Sequence, residues 1–117
     1  MTPEIIDVRS RDLDAAGCLV TVAGDIDHDT ADQIRDVLDD ALTRGRNQIV
    51  LDLTGITFCD SGGLSLFVDT HRRCAAGGGW FRLAAPRTQV LQVLHATNLD
   101  EYLTVRATVD EALKPGD

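Results

Sequence analysis

The stretch Ile49-Val50-Leu51-Asp52-Leu53-Thr54-Gly55-Ile56-Thr57-Phe58-Cys59-Asp60-Ser61-Gly62-Gly63-Leu64 decides how this chain folds. Its Ile-Val-Leu run reads as a strand over residues 48–54, apolar enough to be covered on both faces, as in a parallel sheet. A short turn follows, and a helix pattern begins at once. Leu64, Phe67, Val68, His71 and Cys74 recur at helical spacing, predicting a helix from about 62 to 76 with those residues on one side. Strand, turn and helix in that order make half of a crossover unit, and such units close into parallel sheets with right-handed connections.

The same alternation extends outward. Residues 5–11 and 18–24 read as two strands joined by the polar, Gly-ended Asp12-Leu13-Asp14-Ala15-Ala16-Gly17, an antiparallel hairpin. Thr30 with Gln33 spells a capping box. Ile34, Val37, Leu38, Ala41 and Leu42 then form one apolar stripe, Asp32, Asp36, Asp39 and Asp40 line much of the other side, and Gly45 ends the helix. Beyond Gly77-Gly78-Gly79, a strand over 80–84 precedes a short helix opened by Pro86 and Arg87 and carrying Val90, Leu91, Val93 and Leu94. A strand over 102–105 and a last helix marked by Val109, Ala112 and Leu113, ending before Pro115, complete the chain. The expected fold is α/β: a mostly parallel five-strand sheet with an N-terminal antiparallel hairpin and about four helices, one domain over residues 1–117.

Composition narrows the function. The formal charge of −8 argues against nucleic acid, whose phosphates need clustered Lys and Arg. The apolar runs are far shorter than the roughly 18 residues of a membrane span. Met1-Thr2-Pro3-Glu4 has neither the basic nor the apolar part of a signal peptide, so a cytoplasmic protein is expected. The three cysteines, Cys18, Cys59 and Cys74, fit no zinc or Cys-x-x-Cys spacing, and their odd number suggests reduced thiols.

Ser61 is the hydroxyl that stands out, presented where a helix begins and flanked by Asp60, Gly62 and Gly63. One reading makes it the helix cap. The other makes it a phosphate acceptor, because free backbone N–H groups and the helix dipole favour negative charge there. Two glycines in a first turn each cost roughly 1 kcal/mol of helix stability, which a mere cap does not explain and a surface that another protein must approach closely does. A phosphate on Ser61 would add about −1.5 to −2 charges beside Asp60 and expel a partner by repulsion and bulk. Thr57 and Ser65 are the neighbouring hydroxyls.

Other constellations carry less. Asp25-Ile26-Asp27-His28-Asp29 has Thr30 and Asp36 where a calcium loop needs Gly and Glu, so no metal is expected. Asp52 lacks the acidic pair and late lysine of an aspartyl phosphate site; the only lysine is Lys114. Gly77-Gly78-Gly79 lacks the Gly-Lys-Ser/Thr of a phosphate loop. Asp60 adjoins Ser61, and His71 lies on the apolar side of its helix, so the three make no catalytic triad. Cys59 reads as a small residue packed under the loop, its thiol kept protonated by acidic surroundings.

The segment Asp52 to Leu64 resembles the phosphorylation loop of bacterial anti-sigma factor antagonists, the STAS domain family. Gly24-Asp25-Ile26-Asp27 with Thr30-Ala31 is similar to the start of that family's first helix, and Val93-Leu94-His95-Ala96-Thr97-Asn98-Leu99-Asp100 to its closing helix and turn. The resemblance covers nearly the whole chain. It implies a phosphorylation switch in transcription regulation and stress response. The unphosphorylated form would bind an anti-sigma factor that is also a serine kinase and so free a sigma factor. Phosphorylation at Ser61 would end binding, and a metal-dependent serine phosphatase would restore it. Asp25, Asp27, Asp60, Ser61, Gly62 and Gly63 would form the partner surface, with no cofactor and no catalysis by the chain itself. Gly62 stands where many members carry a second small hydroxyl residue or alanine. A STAS scaffold module in a larger assembly, and a thiol switch through Cys18, Cys59 or Cys74, are the alternatives.

Overall fold

A computed structural model describes residues 6–116. The elements run β1 (Asp7–Asp12), β2 (Gly17–Ile26), α1 (His28–Thr43), β3 (Gln48–Cys59), α2 (Ser61–Ala76), β4 (Trp80–Ala84), α3 (Thr88–Ala96), α4 (Leu99–Tyr102), β5 (Thr104–Arg106) and α5 (Val109–Leu113). One sheet holds the strands in the order β1-β2-β3-β4-β5. β1 and β2 are antiparallel, and every later pair is parallel. Ile5, expected in the first strand, lies outside the described residues.

The pleat sorts side chains between two cores, since successive strand residues face opposite ways. Cys18, Val20 and Val22 of β2, Ile49, Leu51 and Leu53 of β3, and Phe81 and Leu83 of β4 share the larger core with Ile34 and Leu38 of α1 and Leu66, Phe67 and Cys74 of α2. Val50 and Ala84 face the other way, under Ala112 of α5. The Ile-Val-Leu run is therefore buried on both faces, as its composition predicts. α1 and α2 lie side by side, clipped by Arg35 to Asp69 at 2.9 Å and by Arg73 to Asp39.

Several local expectations are corrected. α1 starts earlier than Thr30: Asp27 is its cap, accepting from the N–H groups of Asp29 and Thr30, while Thr30 Oγ1 accepts from the Asp27 N–H at 2.8 Å. The capping box is thus Asp27 with Thr30, not Thr30 with Gln33. On α2, the residues turned into the core are Leu66, Phe67, Thr70 and Cys74, whereas Leu64, Val68 and His71 are only half-buried. Pro86 and Arg87 precede α3 rather than open it, β5 starts at Thr104, and α4 is a fifth helix.

The extension of β2 and β3 positions the site. β4 pairs with β3 only over 48–52, but β3 continues to Cys59 alongside β2, through register shifts between Thr21 and Ala23 and between Gly24 and Asp25. Gly55 permits this: a Cβ there would lie 2.7 Å from the Cβ of Ala23. The strand expected to stop at Thr54 therefore carries its chain on to Asp60, beside the end of β2.

Candidate functional site

The carboxyl ends of β2 and β3 deliver two helix starts to one place. Ile26 pairs with Cys59, and the Asp60 N–H donates to the Ile26 carbonyl at 3.0 Å. Each strand then ends in an aspartate that caps the next helix, Asp27 for α1 and Asp60 for α2. Asp25, Asp27, Asp60, Ser61, Gly62 and Gly63, widely separated in sequence, are thereby brought together.

The cap of α2 is Asp60. Its Oδ1 accepts from Gly62 N–H at 2.8 Å and Gly63 N–H at 3.4 Å. This settles the choice left open by sequence, where Asp and Ser cap almost equally well. Ser61 is the first helical residue, exposed, and its hydroxyl makes no hydrogen bond among the described residues. It also narrows the expectation of free amides awaiting a phosphate, because the Asp60 carboxylate already accepts from those of Gly62 and Gly63.

The glycines have a different reason from the one expected. Both are buried, not bare to solvent. A Cβ on Gly63 would collide with Cys59 Sγ and lie 2.7 Å from Ile26 Cγ2. A Cβ on Gly62 would lie 2.9 Å from His28 Nδ1 and 3.1 Å from the His28 Cα. The glycines let the start of α2 press against the end of β2 and the start of α1.

Around Ser61 the surface mixes charge with apolar area. Asp25 is exposed and accepts from Thr57 Oγ1 at 2.5 Å. Opposite Asp25 in the register stands Phe58, which is 52% exposed. This aromatic side chain left in water beside the candidate site carries no signal in the sequence pattern. Its position between buried Ile56 and Cys59 breaks the simple alternation, and only the register shift at Gly24 and Asp25 resolves which way it points. From Ser61 a groove of about 390 Å³ runs along α2, lined by Leu64, Val68 and Arg72, with Leu99 on the far wall. Leu64 and Val68, expected on one side with Phe67 and Cys74, line this groove, and Leu64 also packs against the main core.

Other candidates separate from the site. His71 stacks edge-on against Tyr102 at 4.8 Å. Asp52 accepts from the N–H and hydroxyl of Thr54, a turn within its own strand. All three thiols are free and buried. Burial, with the Asp60 carboxylate nearby, pushes the Cys59 thiol up to about 12; burial raises Cys74 to about 11 and also raises Cys18. A thiol held protonated is a poor nucleophile. Among the described residues, no group of three His, Cys, Asp or Glu is placed to hold a metal ion, and no helix is long and apolar enough to cross a membrane.

Comparison with known proteins extends over most of the chain. Residues 6–112 match the STAS domain model. A Thermotoga neapolitana protein, described as a candidate anti-sigma factor antagonist, is 36% identical over 67% of this chain and 69% of its own length. The crystal structure of an anti-sigma factor antagonist from Mycobacterium paratuberculosis superposes with a TM-score of 0.85 at 27% identity, covering 96% of this chain and 94% of that one. A candidate antagonist from Thermotoga maritima gives 0.84 at 26% identity, covering 91% of each chain.

Proposed function

Since the chain belongs to the STAS domain family, we propose that it is an anti-sigma factor antagonist working as a phosphorylation-gated binding module. Unphosphorylated, the surface of Asp25, Asp27, Phe58, Asp60 and Ser61 docks on an anti-sigma factor with serine kinase activity, which then releases its sigma factor. The kinase transfers the γ-phosphoryl group of ATP to Ser61 Oγ, the hydroxyl losing its proton. The phosphoserine then ends docking. A metal-dependent serine phosphatase hydrolyses the ester and resets the switch. The chain binds and is modified in the cytoplasm; the chemistry belongs to its partners.

The observation that carries this reading is the separation of duties between Asp60 and Ser61. Asp60 holds the helix start, so the exposed Ser61 hydroxyl is spent on nothing and can be modified without removing a cap. Phosphate on Ser61 would stand directly beside the Asp60 carboxylate, at the centre of an already acidic surface. Like charge and added bulk both oppose a partner that fits the unmodified loop. Carboxylates surrounding an exposed aromatic suit a partner with a basic rim around an apolar pocket, and association with such a partner slows as salt rises.

The test is intact-mass analysis after incubation with candidate anti-sigma kinases and ATP. Wild type gains one phosphate and Ser61→Ala gains none. A mutant still modified stoichiometrically would remove Ser61 as the acceptor. Ser61→Asp should bind the kinase far more weakly than Ser61→Ala, and equal affinities would contradict gating by charge and bulk.

A further inference from the structure

We propose that His28 is the positioning residue that receives the phosphate of phosphorylated Ser61, with the notch at Gly62 as its seat. The inference rests on Ser61 as the modified residue and adds the group that answers the new charge.

The helix start that should welcome a phosphate is already occupied. Asp60 Oδ1 takes the Gly62 and Gly63 N–H groups, so a phosphate can use them only by displacing the cap. Losing an aspartate cap weakens the helix start. A side-chain donor close to the same helix end avoids that loss. Several basic side chains are committed elsewhere: Arg35 to Asp69, Arg73 to Asp39, and Arg87 to the Thr54 carbonyl at 2.7 Å. Arg72 shares the groove with Ser61 but stands about three turns along α2.

His28 is placed where those are not. It is the first residue of α1, exposed, and its ring Nδ1 lies 2.9 Å from the point where a Gly62 Cβ would be. Asp60 Oδ1 lies 3.1 Å from that same point. Imidazole and capping carboxylate thus flank one notch, and the residue before Gly62 is Ser61. A side chain at 62 would push the ring away, which gives Gly62 a local reason in this chain: it leaves room for His28. An imidazole donates a hydrogen bond when neutral and adds a positive charge when protonated. The charged groups at the two helix starts are Asp25 near the end of β2, Asp27 at the cap of α1, Asp29 on α1 and Asp60 at the cap of α2, so among the described residues His28 supplies the one group there that can become a cation.

The experiment uses the full chain with phosphoserine installed at position 61 during synthesis, so no kinase is involved. If no kinase modifies the chain, the proposed function fails while this measurement still stands by itself. The second ionisation of the phosphate is followed by ³¹P NMR. A donor or cation beside it favours the dianion and lowers its midpoint. In His28→Asn the midpoint should rise by about 0.5 pH unit, and His28→Lys should bring it back down, a response that mere space-filling would not give. Gly62→Ala, which displaces the ring, should raise it as His28→Asn does. An unchanged midpoint in His28→Asn, or a rise that His28→Lys fails to reverse, overturns the proposal.

Discussion

Asp60 donates its backbone N–H to the carbonyl of Ile26 at 3.0 Å, which ties the cap of α2 to the end of β2. One residue thus serves both helix starts: its backbone holds the strand that leads into α1, and its carboxylate holds α2. Ser61 is presented by this joint, so its geometry depends on Asp60 more than on any residue in its own helix.

Asp60→Ala should therefore lower stability by about 1 kcal/mol, the usual cost of an aspartate cap, because Gly62 and Gly63 lose their acceptor. Asp60→Asn or Asp60→Ser should keep most of it. Urea unfolding followed by circular dichroism separates the three. If Asp60→Ala is as stable as wild type, Asp60 does not hold the helix start.

Gly63→Ala meets Cys59 Sγ and Ile26 Cγ2. Overpacking of this kind costs about 1–3 kcal/mol, against which better helix propensity returns less than about 1. Adding Cys59→Ala removes the sulfur and should recover part of the loss. A double mutant less stable than the sum of the single changes would contradict a clash at that contact.

Phe58→Ala should leave stability within about 0.5 kcal/mol, as expected for an exposed side chain, yet weaken binding to the anti-sigma partner at least about tenfold. Calorimetric titration against that partner, beside urea unfolding, reads both quantities. Unchanged affinity would place Phe58 outside the interface.

His95 Nδ1 lies 3.0 Å from Asp100 Oδ2, joining α3 to α4, and that bond and charge, with Glu101 nearby, raise the His95 pKa. A raised native value means that folding takes up protons near neutrality. The stabilisation is complete below the unfolded value of about 6.5 and is lost as pH climbs through the higher native one. Stability of wild type should fall between about pH 6 and pH 8.5 by more than that of His95→Gln. Parallel slopes for the two proteins would show that the pair contributes nothing.

Much of this architecture is legible in the sequence because burial leaves periodic traces. Ile49, Val50 and Leu51 announce a strand covered on both sides, and Ile34, Leu38 and Ala41 a one-faced helix. What escaped depends on contacts between distant segments. Asp60 and Ser61 have almost equal capping propensity, and only the geometry at the end of β3 chooses between them. Gly62 and Gly63 look like openings for a partner until His28, Ile26 and Cys59 are seen to fill the space. Phe58 points outward through a register shift that residue types do not encode. α4 is one turn of helix, too short to show a period.

Arg82 gives the most demanding test of the second, smaller core. It is 5% exposed, its guanidinium lies 3.7 Å over the ring of Trp80, and its N–H groups donate to the carbonyls of Ala112, Lys114 and Gly116. These acceptors belong to the end of α5 and the residues after it, so the side chain joins β4 to the last helix. A planar fork can reach several acceptors at once, whereas an ammonium group is a single point. Arg82→Met should cost about 2 kcal/mol or more, because carbonyls lose a charged donor inside the fold. Arg82→Lys should recover less than half of that. Trp80 is the only tryptophan, so its emission reports on this contact directly, and loosening of α5 should shift it to the red. If Arg82→Lys matches wild type in both urea midpoint and emission, the charge alone holds the C-terminal helix and the fork geometry does not matter.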